Sequence, residues 1–169
     1  MATIHVTMSS HLAPRAVLAA GYDFSARRAN IFPAVSTEHL EVHDLKAESA
    51  DVTEGTPAGI GLNWERCHYD WATPGVVIAA VVDSNVYEPG GSRWVLQAAP
   101  DAGGSRVEMI WVREFRSGPR GRIFGMRVMR RNFGARARPV MSASKVMGLC
   151  SNPIRSRASQ PSPAESAPG

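Results

Sequence analysis

The chain has 169 residues, 44% hydrophobic and 20% charged, which is a globular composition long enough for one sizeable core. No apolar run approaches the ~20 residues that cross a bilayer as a helix, and two cysteines without CxxC spacing argue against a disulfide framework or a zinc site. The net charge of +4 sums two opposed parts: residues 113–157 carry twelve Lys and Arg against Glu114 alone, whereas residues 1–112 carry seven basic and thirteen acidic side chains.

Residues 2–8 (ATIHVTM) alternate and predict a first strand with Ile4 and Val6 on one face. Ser10 is placed to cap a short helix through Gly21, with Pro14 in its first turn. A second short helix is expected over residues 25–32, stopped by Pro33. The N-terminus has no basic segment followed by an apolar core, and residues 16–20 are too short for a signal peptide, so a cytoplasmic protein is expected. Residues 38–47 (EHLEVHDLKA) read as a half-exposed strand, and Gly55, Pro57, Gly59 and Gly61 as a turn-rich connector.

Residues 62–71 (LNWERCHYDW) form the next strand, with Trp64, Arg66, His68 and Asp70 on one face and Glu65, Cys67, Tyr69 and Trp71 on the other. Pro74 and Gly75 turn the chain into residues 76–82 (VVIAAVV), the most apolar strand. A turn at Pro89-Gly90-Gly91 leads to a strand over residues 93–99, a hairpin turn over 101–104 and a last strand over 105–115. There Val107, Met109, Trp111, Arg113 and Phe115 share the bulkier, more apolar face, which is pointed inward.

Residues 119–147 carry a helical repeat. Met126, Met129, Phe133, Ala137, Val140, Ser144 and Met147 fall within roughly 80° of one another at 3.6 residues per turn, opposite Arg120, Arg127, Arg131, Arg138 and Lys145. This predicts a long amphipathic helix that lies on the sheet, with a kink near Pro139 and a stop at Gly148. Residues 149–169 are Ser-, Pro- and Ala-rich and are expected to form a disordered tail after a domain spanning 1–148.

A strand, two short helices, a run of antiparallel strands and one long C-terminal helix resemble the helix-grip fold of the START-like, or SRPBCC, superfamily. The resemblance rests on that order of elements and on the passages EGTPAGIGLNWER, YDWATPGVVIAAVVDSN, PGGSRW and GGSRVEMIWV. It implies an α+β domain in which a curved antiparallel sheet of six to seven strands wraps the final helix and leaves an elongated cavity. It also implies binding of a small hydrophobic or aromatic ligand, and makes polyketide cyclase or dehydratase chemistry an option alongside plain binding or lipid transport. None of these passages is a catalytic signature, so no active-site residue follows from the resemblance.

The residues themselves nominate a site. Trp64, Trp94, Met109 and Trp111 on the strands and Met126, Met129 and Phe133 on the helix suit a cavity for flat or greasy ligands. Arg66 and His68 are the candidate catalytic pair: a fixed cation to polarise a carbonyl and a group that moves a proton near neutral pH. Their face is taken as inward for that reason; with the parity reversed, Tyr69 and Glu65 inherit the roles. The competing structural reading leaves both on an exposed, salt-bridged sheet face. His39 and His43 have helical spacing in a strand, so no metal is expected, and no cofactor. Ser84 lacks a nucleophile elbow, and residues 103–106 (GGSR) precede no helix that would make them a phosphate loop. A second class of function is a non-catalytic partner-binding module acting through the basic helix face. Nucleic-acid binding is disfavoured, because no aromatics interleave with the Arg row.

Overall fold

The computed structural model describes residues 1–58, 61–119 and 121. The elements are β1 (Ala2–Ser10), α1 (Pro14–Gly21), α2 (Arg28–Ile31), β2 (Ser36–Leu45), β3 (Ser49–Ala58), β4 (Gly61–Asp70), β5 (Val76–Ser84), β6 (Arg93–Asp101) and β7 (Gly104–Arg113). The strands form one seven-stranded antiparallel sheet in the order β1-β7-β6-β5-β4-β3-β2. The chain begins at one edge, crosses through α1 and α2 to the other, and returns as a meander of hairpins until β7 pairs with β1. All of the expected C-terminal helix beyond Pro119 and Gly121 lies outside the described residues, with Met126, Met129, Phe133 and the Pro139 kink. So does the tail over 149–169.

The sheet has one apolar face. Val77, Ala79 and Val81 on β5, Trp94, Leu96 and Ala98 on β6, and Val107 and Met109 on β7 are buried and form one cluster with Val17 of α1. Alternate residues such as Ile78 and Val82 are exposed on the outer face. The period of two expected for β5, β6 and β7 is present, and Met109 and Arg113 of β7 share the inner face as expected.

α1 starts at Pro14, whose missing N–H costs nothing in a first turn. Ser10 does not cap it. β1 continues to Ser10, and the Ser10 hydroxyl accepts a hydrogen bond from the Leu12 N–H at 3.1 Å. α1 sits close on the sheet at its end: a Cβ at Gly21 would lie 2.8 Å from Leu96 Cδ2. α2 is a single turn, shorter than expected. Asp23 accepts from the Ser25 N–H at 3.0 Å and Ser25 from the Arg27 N–H at 3.2 Å, and these local turns use up the residues before Arg28.

The largest departure from expectation is β3. The segment over 49–58 pairs with both β2 and β4, although its Gly, Pro and acidic content reads as a connector. Ala50, Val52 and Glu54 alternate inward and are all buried. Glu54 is the position that hides the pattern, because a carboxylate stands where an apolar side chain is expected.

Candidate functional site

Beyond Ser84 the chain bends until Tyr87 bridges Phe115, with Arg116 N–H donating to Val86 O at 2.9 Å and Glu88 N–H to Glu114 O at 2.8 Å. β6 begins only at Arg93, so at this end of the sheet the continuations of β5 and β7 are neighbours. The inner face here opens a pocket of about 590 Å³. Phe32, Tyr87, Trp94, Met109 and Trp111 supply apolar wall, and two ion pairs supply the polar part.

The first pair is Arg28 with Glu54. Arg28 is 1% exposed, which a guanidinium tolerates only when its donors are met. Nε donates to Glu54 Oε1 at 2.6 Å, Nη1 to the Gly21 carbonyl at 2.9 Å, and Nη2 to the Tyr69 hydroxyl at 2.9 Å. Tyr69 in turn donates to Glu54 Oε2 at 2.8 Å, closing the network. The cation also sits against the rings of Phe32 and Phe24, 4.2 and 5.1 Å from their centroids. Burial works against its charge, but the Tyr69 and Glu54 oxygens outweigh burial and hold Arg28 above its usual pKa. Because Gly21 ends α1, Arg28 ties both helices to β3 and β4, and its charge complements the carbonyl end of α1.

The second pair is Arg113 with Glu65. Nη2 lies 3.0 Å from Oε1 and Nη1 3.0 Å from Oε2, and the guanidinium lies 4.6 Å from the Tyr87 ring centroid. Burial pushes the Glu65 carboxyl up; Arg113 pulls it down, Glu54 pushes it up again, and the net direction is up. Glu54 and Glu65 are direct partners across β3 and β4. A row of alternating origin therefore crosses the pocket: Arg28 from α2, Glu54 from β3, Glu65 from β4 and Arg113 from β7.

Four of the residues nominated from the sequence, Trp64, Trp94, Met109 and Trp111, line this pocket. Arg66 and His68 do not. The parity of β4 is the reverse of the expected one, because Cys67 and Tyr69 are wholly buried on the inner face. His68 is exposed on the outer face, with Nδ1 3.0 Å from Asp51 Oδ1, its neighbour across β3. Two apolar rows must close on each other, and Cys67 with Tyr69 offers more apolar surface than Arg66 with His68. Arg28 and Glu54 were not anticipated. Glu54 was discoverable from the Ala50-Val52-Glu54 alternation; a lone Arg in a one-turn helix carries no such signal.

No family model matches the chain, and no curated protein matches it. Solved structures do match. TTHA0849 from Thermus thermophilus aligns with a TM-score of 0.62 at 13% identity, covering 78% of this chain and 88% of that one. The Zhui aromatase/cyclase from Streptomyces sp. R1128 aligns at 0.61 and 15% identity, covering 78% and 86%. A START superfamily protein from Mycobacterium smegmatis aligns at 0.57 and 8% identity, covering 77% and 91%. The fold is START-like. At these identities the likeness is one of fold. The START-like sheet and helix pair account for the described residues, and the pocket occupies the inner face of that sheet. Among the described residues no helix is long and apolar enough to cross a membrane.

The START-like core predicts an alkaline limit. Burial pushes the Tyr87 phenol up to about 12, and burial followed by the Glu54 charge pushes Tyr69 well above its usual 10. A phenol raised on folding contributes stability that is complete below its unfolded pKa and is lost as pH rises toward the folded value. Stability is therefore expected to fall from about pH 10 upward. In pH-jump absorbance, Tyr69 phenolate should appear at the rate of unfolding, and Tyr69→Phe should lower the amplitude of that phase, leaving the share due to Tyr87. Fast Tyr69 ionisation with unchanged circular dichroism would contradict the buried network.

Proposed function

We propose that this domain binds a small hydrophobic or aromatic molecule in the pocket on the inner face of the sheet. The observation that carries the reading is the pocket itself: about 590 Å³, walled by aromatic and Met side chains with a few fixed polar groups, within the ~300–1,000 Å³ usual for small-molecule sites. The fold likeness to an aromatase/cyclase and to a START superfamily protein supports it.

Trp64, Trp94 and Trp111 line the pocket, so a planar probe such as 2-naphthol should quench their fluorescence. Ala34 is an exposed residue on the rim. Ala34→Trp, which fills the mouth and leaves the core untouched, should weaken 2-naphthol binding by about tenfold or more. Unchanged affinity would move the ligand out of this pocket.

Cyclase or dehydratase chemistry on a polyketide-like substrate is the second reading. The observation favouring it is Glu65, a carboxyl with raised proton affinity beside Arg113 and opposite Glu54. Glu65 then carries the proton in place of His68, and Arg113, in place of Arg66, holds the charge that Glu65 takes on when it gives that proton up. Retained binding with lost turnover in Glu65→Gln would support that chemistry; unchanged turnover would remove it. The partner-binding reading rests on the basic residues of 119–147, all of which lie outside the described residues.

A further inference from the structure

We infer that the pocket selects uncharged ligands: a planar apolar body ending in a hydroxyl or carbonyl group, held at Asn63 and Glu65, with anionic and cationic head groups refused. This rests on the pocket being the binding site, and it goes on to name the ligand class. Both cations on the pocket wall already face a counter-charge. Arg28 gives its donors to Glu54, Tyr69 and the end of α1. Arg113 is neutralised by Glu65: Nη2 donates to Oε1, and Nη1 stands 3.0 Å from Oε2 without making a hydrogen bond. A carboxylate or sulfonate entering between them meets Glu54 and Glu65, which stand directly opposite each other on the same wall. An ammonium group meets Arg28 and Arg113. In either case the ligand loses its hydration and gains no free counter-charge.

A neutral hydroxyl has partners. Asn63 Nδ2 is buried, lines the pocket and has no hydrogen-bond partner among the described residues, so it is a donor waiting for an oxygen. The Glu65 carboxylate keeps lone pairs beyond those facing Arg113 and can accept from a hydroxyl. Asn63 and Glu65 are two apart on β4 and so share a face, which puts the donor and the acceptor side by side. A carbonyl uses the Asn63 donor alone.

The test compares three probes with one ring system: 2-naphthol, 2-naphthalenesulfonate and 2-naphthylmethylammonium, titrated at pH 7 by tryptophan fluorescence and calorimetry on the full chain. In the wild type, 2-naphthol should bind about tenfold or more tightly than either ion. Glu65→Gln releases Arg113 and should raise sulfonate affinity about tenfold. Arg113→Met releases Glu65 and should raise ammonium affinity by a similar factor, so the inference does not depend on one variant folding. Sulfonate or ammonium binding that matches 2-naphthol in the wild type overturns the selectivity and leaves the pocket reading standing. Failure of both variants to gain their matching ion also overturns it. If no probe binds the wild type, the pocket reading falls and this inference falls with it.

Discussion

Arg28→Ala should lower the unfolding free energy by about 3–5 kcal/mol, because removing one member of a buried ion pair strands the other. The stranded group is Glu54, 8% exposed and left with the Tyr69 hydroxyl as its remaining side-chain partner among the described residues. The carbonyl of Gly21 loses its donor at the same time, and Phe24 and Phe32 lose the cation between them. For a chain of this size the melting temperature should drop on the order of 10 °C. Arg28→Lys should recover little, since an ammonium offers three donors from a single point and cannot span Glu54, Tyr69 and Gly21. Arg28→Met with Glu54→Leu should recover much of the loss, because desolvation of both charges is then avoided. Urea unfolding of the four proteins decides the matter. A cost under about 1 kcal/mol for Arg28→Ala would mean that the pair is hydrated and no more than a surface bridge.

Leu96→Ala should cost about 2–5 kcal/mol, as expected for a large-to-small change in a packed core. Leu96 is wholly buried on β6, and its Cδ2 meets the end of α1 at Gly21, where no Cβ intervenes. Neither the helix nor the strand can shift far to fill the space, since Arg28 holds α1 and both neighbours hold β6. Leu45→Ala is the contrast. Leu45 ends β2, the sheet edge, and is 63% exposed, so its loss should change stability by about 0.5 kcal/mol or less. The pair is read from urea midpoints at constant slope. Equal effects would place the core on the wrong face of the sheet.

Three strands were plain in the sequence for one reason. In β5, β6 and β7 the central inward positions are apolar and the turns between them carry Gly, so both the period and its breaks are visible. Gly103, with φ of 82°, closes the hairpin between β6 and β7, where a backbone turn favours a residue without Cβ. β3 was missed although its period is as regular. Its inward row includes Glu54, and a carboxylate is readable as a core residue only if its cation is known. That cation lies 26 residues earlier in α2.

The candidate site divides in the same way. Trp94, Met109 and Trp111 could be nominated because large apolar side chains in alternating strands have one place to go. Arg66 and His68 were nominated because their chemistry suits a pocket, and chemistry does not decide which way a strand faces. Both rows of β4 alternate equally well, so the pattern is symmetric under a one-residue shift.

The sequence by itself determined where β4, β5, β6 and β7 run, that a hairpin joins the last two, and that an apolar row lies on one face of the later ones. Those properties are local: a period of two and a turn residue are written in adjacent positions. Only the tertiary structure decided which face of β4 is inside and how the charges pair. A strand's period has no sign until another layer covers one side, and here Phe24 and Arg28 cover Tyr69, with the Trp94 ring beside it on the sheet. A buried charge has no stable place until its partner arrives from elsewhere in the chain. Arg28 with Glu54 and Arg113 with Glu65 are 26 and 48 residues apart, distances over which no sequence pattern carries.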